Sequence, residues 1–435
     1  MTRMKESGID WIGQIPEEWR VRPIKHIVET PVTDGPHETP VLFDTGIPFL
    51  SAEAVKDGVL DFNYKRGYIS LKDHERFKKK ISPKKDDIFI VKSGATTGNV
   101  GIVNTEEIFD IWSPLALIRC NKTLAIQKYI YFYLLSTLFK SQVEFNWSFG
   151  TQQNIGMGVI ERIKVILPPV SEQQKIVEVL DKKTAQLDKV KSLLEEQIQK
   201  LKDYRASLIY ETVTKGLDKT ALMKDSGIDW IGQVPEGWGV KPLKYLIKFK
   251  NGYAFDSKHL TMEQTGVKVI RIGDFKSSGI DFNASLNVFT SFNSKLDFYR
   301  IRKSQILIAM SGATVGKISF VNQEPNVYSV INQRVGIIES EINKWIYYCL
   351  STDSFMSYIQ LNSNGSAQPN ISSGEISDFK VAIPDDVVIQ KCVKYLDNQL
   401  ESINKLIQIK NQQIENINKQ RQTLIYDYVT GKRRV

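Results

Sequence analysis

The hexapeptide SGATTG at 93–98 returns as SGATVG at 311–316. Small loops bounded by glycine and rich in hydroxyls are where phosphate chemistry is first sought. A nucleotide P-loop needs four residues between its glycines, then Lys and Ser or Thr. Gly312 and Gly316 enclose three, Lys317 is followed by Ile318, and the first copy has Asn99 in place of the lysine. The spacing fits a tight turn between strands instead. Ser93, Thr96, Thr97, Ser311 and Thr314 still offer hydroxyls, beside backbone N–H groups, suited to a DNA phosphate.

Other candidates surround these turns. The segments TDGPHETP at 33–40 and NGYAFDS at 251–257 hold equivalent places but differ in chemistry. Asp34, His37, Glu38 and Thr39, and Asn251, Tyr253, Phe255 and Asp256, are candidates for base edges or backbone. A His or Asn reads purine acceptors and an Asp accepts from cytosine N4. The densest basic run, RFKKKISPKK at 76–85, contributes Lys78, Lys79 and Lys80; its counterpart YRIRKS at 299–304 contributes Arg300, Arg302 and Lys303. Such residues give salt-dependent affinity that is blind to sequence. The amides Gln152, Gln153, Gln368 and Asn370 either bond adenine or close a turn. Catalytic signatures are missing: LPPV at 167–170 lacks the amide and aromatic of an amino-methyltransferase motif, and no FxGxG, helicase or nuclease motif occurs. Three scattered cysteines and four histidines form no CxxC or HExxH, so no metal site is expected.

What must position these residues is a repeat. KESGIDWIGQIPEEW at 5–19 returns as KDSGIDWIGQVPEGW at 224–238, and RASLIYETVT at 205–214 as RQTLIYDYVT at 421–430. The offset drifts between 216 and 220, but stays at 216 from Pro168 to Tyr210. Surface loops tolerate insertions, whereas an insertion in a heptad array turns its seam out of register. Each unit is therefore a globular domain followed by a long helix. Strands are expected at 47–50, 87–92, 100–103 and 163–167, and at 267–272, 305–310, 317–321 and 379–383, with one helix at 125–139 and one at 344–359. That mixture implies an α+β fold. The boundaries read as 1–168 and 217–384 for the domains, 169–216 and 385–435 for the helical arms.

The arms carry a seam. Leu180, Leu187, Leu194, Leu201 and Leu208 recur every seven residues, answered by Leu396, Leu400, Ile403, Ile407, Ile414, Ile417 and Leu424. This is a coiled-coil spacing, broken by Lys191, Arg205, Lys410 and Arg421, which fix register at a cost in stability. About 42 helical residues span ~63 Å. Two matched arms in one chain suggest an intramolecular antiparallel coiled coil with pseudo-two-fold symmetry. Ser171 with Gln174 fits a capping box at the first arm, and Asp385 or Asp386 can cap the second.

The net charge of +9 favours an anionic partner. The first 11 residues have no apolar core, and the longest apolar run, 129–139, falls short of the ~20 residues of a membrane span. A cytoplasmic protein without a membrane partner is expected.

LPPVSEQQKIVEVLD at 167–181, both GIDWIGQ-P-x-x-W starts and both SGAT loops, in this order and twice, resemble the specificity subunit of type I restriction–modification systems. The resemblance covers essentially the whole chain. It implies a non-catalytic subunit whose two target-recognition domains each read half of a split double-stranded DNA sequence. The helices would set half-site spacing and dock two methyltransferase subunits, which restriction/translocase subunits join. No cofactor is implied in this chain; S-adenosylmethionine belongs to the methyltransferase, ATP and Mg to the nuclease. Pseudo-two-fold readers contact half-sites ~34–36 Å apart, within reach of such a coil. The second arm departs from the pattern, with IPDDVVIQ for LPPVSEQQ. From the residues alone, a coiled-coil adaptor whose domains bind proteins is the alternative.

Overall fold

The computed structural model describes residues 3–9, 12–146, 148–149, 153–264, 266–276, 279–280, 282, 288–363 and 369–435. The chain forms two compact units, Met1–Leu194 with Asn411–Val435, and Glu195–Lys410. Each therefore holds one globular domain and a piece of both arms.

In the first unit a six-stranded sheet runs in the order Thr33–Asp34, Leu115–Ile118, Ile88–Val91, Val100–Ile102, Val59–Leu60, Val55–Lys56. Its second and third strands are antiparallel, Leu115 facing Val91 and Ile118 facing Ile88. Both strands are buried on both faces, which is why they read as unbroken apolar runs. Ile88, Ile90, Ala116 and Ile118 meet the helices Gln127–Leu135 and Thr137–Phe145. Phe89, Val91, Leu115 and Leu117 form a second core with Leu50 and Phe109. A smaller sheet orders Asp110–Ile111, Ile47–Leu50 and Gly67–Ile69.

The second domain repeats the plan: Lys248–Asn251, Val335–Glu339, Ile306–Ala309 and Ile318–Phe320 form one sheet, and Val288–Thr290, Val267–Ile270 and Ser329–Ile331 the smaller one. The eight expected strands appear within two residues of their predicted ends.

The single helix expected in each domain is two. Ser136 is extended (φ −74°, ψ 161°), ending one helix and starting the next, and its hydroxyl bonds the Tyr133 carbonyl at 2.6 Å. In the second domain Asn343–Leu350 stops at Ser351, and Thr352 caps Asp353–Asn362 through the Phe355 N–H. Hydroxyl side chains that bond the local backbone compete with helix continuation.

The arms are Val170–Lys215 and Asp386–Val429. The capping box expected at Ser171 does not form, because the helix begins at Val170, two residues before a Ser171 cap would start it. The Pro169 carbonyl accepts from the N–H groups of Glu172 and Gln173, both at 2.9 Å, which places Ser171 inside the first turn. At the second arm Asp385 caps the Val388 N–H at 2.9 Å. Both arms end on a glycine with positive φ, Gly216 (+73°) and Gly431 (+74°), packed against the repeat's Trp238 and Trp19 respectively. Only glycine takes that conformation without strain.

The pairing of the arms is antiparallel. In the first unit Ile176, Val177 and Leu180, at the start of one arm, share a core with Ile425, Tyr428 and Val429 at the end of the other. In the second unit Leu208, Ile209 and Val213 meet Ile389, Cys392, Leu396, Leu400 and Ile403. The seam is buried at Leu180, Leu208, Leu396, Leu400 and Ile403, and half-buried at Leu187, Leu194, Leu201, Ile407, Ile414, Ile417 and Leu424. Two of its polar positions lie beside polar groups of the other arm: Arg421 Nε is 3.5 Å from Asp188, and Lys410 donates to Gln197 at 2.5 Å. Among the described residues no helix is long and apolar enough to cross a membrane.

Candidate nucleic-acid interface

Two glycines fix where the candidate loops begin. A Cβ on Gly35 would sit 2.3 Å from the Ile111 carbonyl oxygen, and one on Gly252 2.0 Å from that of Asn332. No side chain fits, so Asp34-Gly35 and Asn251-Gly252 hold the same place in both domains. Each SGAT turn closes the hairpin between the central strand and its neighbour, as its spacing predicts. Gly98 (φ +87°) and Gly316 (φ +81°) let the turn rest on Val143 in one domain and on Met356 and Ile359 in the other.

The structure joins each SGAT turn to the amide-bearing loop read separately in the sequence. The Gly94 N–H donates to the Gln153 carbonyl at 3.1 Å, and the Gly312 N–H to Pro369 at 2.8 Å. Ser93 pairs with Asn154, and Ser311 with Asn370, as isolated bridges. Thr97 is buried with its hydroxyl between the carbonyls of Gly94 and Gln153, at 2.7 and 3.0 Å. Thr314 bonds the Ile272 carbonyl at 3.2 Å. Ser311 Oγ is buried and without a hydrogen-bond partner among the described residues. Thr96, Gln153 and Asn370 are exposed. Gln152 and Gln368 lie outside the described residues.

Around this shared frame the chemistry diverges. In the first domain Asp34 is buried, gripped by Lys80 at 2.6 Å and Lys92 at 2.5 Å, with His37 Nε2 at 3.1 Å. Lys80 also reaches the Gly35 carbonyl, 2.8 Å away. Lys92 was not among the sequence candidates; its signal is its place just before Ser93, but its partner lies 58 residues away. At the corresponding points the second domain has Asn251 and Met310. Asn251 reaches Ser373 Oγ at 3.5 Å, and Asp256 caps the turn Ser257–His259. The Tyr253 ring packs edge-on to Phe255 and Tyr299.

The basic candidates are surface groups held by carboxylates or rings. Lys78 pairs with Glu75 at 2.6 Å and Glu38 with Arg76 at 3.1 Å, while Lys79 and Thr39 are exposed. Arg300 lies 3.3 Å from Glu324 and over the Tyr328 ring; Arg302 lies 3.0 Å from Asp297; the Lys303 N–H donates to Glu324 at 2.8 Å.

Burial works to raise the Asp34 pKa, but hydrogen bonds and charge from Lys80 and Lys92 outweigh it, and the net shift is downward. A lowered carboxyl pKa means stabilisation that is complete above ~4 and lost as pH falls through the folded value. Asp34→Asn should destabilise the first domain by about 1–3 kcal/mol near neutral pH. The difference from wild type should shrink below pH ~4, as followed by thermal unfolding. A difference that persists undiminished at low pH would show that the lysines do not carry it.

The family described as type I restriction modification DNA specificity domain matches residues 16–202 and again 235–416. Each match takes in most of one globular domain and most of the arm that follows it. The chain is 24% identical to the type I restriction enzyme MjaVIII specificity subunit of Methanocaldococcus jannaschii, over 97% of this chain and 94% of that one. It is 27% identical to the putative MjaX specificity subunit of the same organism, over 98% and 96%. A solved chain from work on complex assembly and conformational transition of the type I restriction–modification system shares the fold. Its TM-score is 0.68 at 14% identity, covering 95% of this chain and 98% of that one. With two family matches falling on the two sequence repeats, the chain belongs to the type I restriction–modification DNA specificity family.

Proposed function

We propose that each globular domain reads one half of a split, asymmetric DNA target, with the arms as spacer. As a specificity subunit the chain is non-catalytic. The arms dock two methyltransferase subunits, which restriction/translocase subunits join in the cytoplasm; S-adenosylmethionine is bound by the former, ATP and Mg by the latter. The observation that carries this reading is a common frame with unlike side chains. Gly35 and Gly252 and the two clipped SGAT turns superimpose the domains' plans, while Asp34, Lys80 and Lys92 in one give way to Asn251 and Met310 in the other. Side chains at base edges specify sequence, and phosphate contacts only position. Two readers built alike but armed differently suit two unlike half-sites.

Footprinting the chain with its methyltransferase partner over a salt series tests this. Two protected blocks of different sequence are expected, with log affinity falling linearly against log salt at about −0.9 per phosphate contacted. Protection that ignores sequence would favour an adaptor whose domains bind proteins.

A further inference from the structure

We infer that Val41, Leu42 and Phe43 form an apolar wedge that enters the groove of the first half-site, with Arg66 and Lys65 on the flanking phosphates. This rests on the half-site reading above and names the residues that carry it out in the first domain. The three apolar side chains are 69%, 41% and 49% exposed, a consecutive run that the domain core does not use. They are presented rigidly. The Phe43 N–H donates to the Tyr68 carbonyl at 2.8 Å, and the Tyr68 N–H returns to Phe43 at 3.0 Å. Leu42 lies over Gly67 (φ +152°), where an added Cβ would come 3.3 Å from its own.

Two cations just before the wedge's partner strand lie on aromatic rings, Arg66 4.4 Å over Trp112 and Lys65 5.2 Å over Tyr68, the residue that pairs with Phe43. Among the described residues, neither makes an ion pair with a carboxylate. Apolar surface beside such cations matches a duplex, whose bases offer thymine methyls and separable steps between phosphates. The wedge also continues the loop that starts at Asp34 and Gly35.

The second domain argues against a protein occupant. A partner docked identically on both domains would need the same side chains twice. The strand contact equivalent to Phe43 with Tyr68 is Thr261 with Phe289. The exposed apolar side chains there are Met262, Phe292 and Phe298 instead, with Arg300 over Tyr328. The frame is kept and the apolar contacts move, as unlike half-sites require.

The test compares wild type with a Val41→Ser, Leu42→Ser, Phe43→Ser triple variant, each assembled with the methyltransferase partner. The DNAs carry the intact bipartite target or one half-site scrambled. The triple variant should bind the intact target about tenfold or more weakly, and lose nothing on DNA whose first half-site is already scrambled. Arg66→Ala should weaken binding evenly across sequences and lower the salt slope by about 1. Unchanged affinity of the triple variant overturns the inference. So does lost methyltransferase assembly with DNA affinity intact, which would make the patch a protein surface. If wild type itself ignores the first half-site, the half-site reading fails and the wedge falls with it; if wild type discriminates and the variant equals it, only the wedge fails.

Discussion

Replacing residues 1–168 with the matching domain of another specificity chain should change one half-site and leave the other as it was. Binding to the original target should fall by a factor on the order of 10³ or more, since half of the sequence-specific contacts no longer match. Methylation mapping in a host carrying the hybrid would report both half-sites at once. The structure adds a condition on the donor domain. The first unit is closed by contacts that leave this segment: Trp19 donates to Glu172 at 2.9 Å, Tyr129 reaches the carbonyl of Val429 at 3.4 Å, and Arg434 pairs with Glu18 at 2.7 Å. Gln173, fully buried, accepts from the Ile126 N–H at 2.7 Å and donates to Leu124 and Pro168. A donor domain that keeps the Trp and the Tyr should fold onto these arms. If the hybrid altered both half-sites, the domains would not be independent readers.

Lengthening the arms is the second large effect. Seven residues added to each, after Leu194 and after Lys410, fall where the two compact units meet in sequence. Seven preserves the seam, whereas four would turn it. Each arm grows by about 10.5 Å, equivalent to roughly three base pairs of B-DNA. The half-sites should be retained, the spacer should lengthen, and affinity for the original spacing should drop about 100-fold or more as one half-site is abandoned. Unchanged spacing would mean that the arms do not set it.

Much of this organisation was legible in the sequence, because repetition reports structure without any knowledge of contacts. The strands stood out as short apolar runs between turn residues, and the fixed offset of 216 separated arms from domains. Three features were hidden for different reasons. The break at Ser136 lies within an apolar stretch whose composition favours continuing; one hydroxyl bonding its own turn decides it. The start of the first arm depended on which carbonyl caps it, and Pro169 forestalled Ser171. The grip of Lys80 and Lys92 on Asp34 joins residues 46 and 58 positions apart, which no local pattern encodes. The Val41 to Phe43 tip is illegible in the sequence because three apolar residues beside a turn look like a core strand until their exposure is known.

The division of the chain also sets a timetable for synthesis. The second unit is continuous, Glu195–Lys410, and all of its parts have been made before the last turns of the second arm appear. The first unit starts to emerge first but must wait for Asn411–Val435, which bring Ile425, Tyr428 and Val429 to its core. At about 5–20 residues per second, that wait lasts roughly 12–50 s. During it, the core around Trp19, Tyr129 and Leu180 lacks those three side chains, so the domain made first is the one completed last, and a ribosome stalled late in the message would leave that edge open to chaperones and proteases.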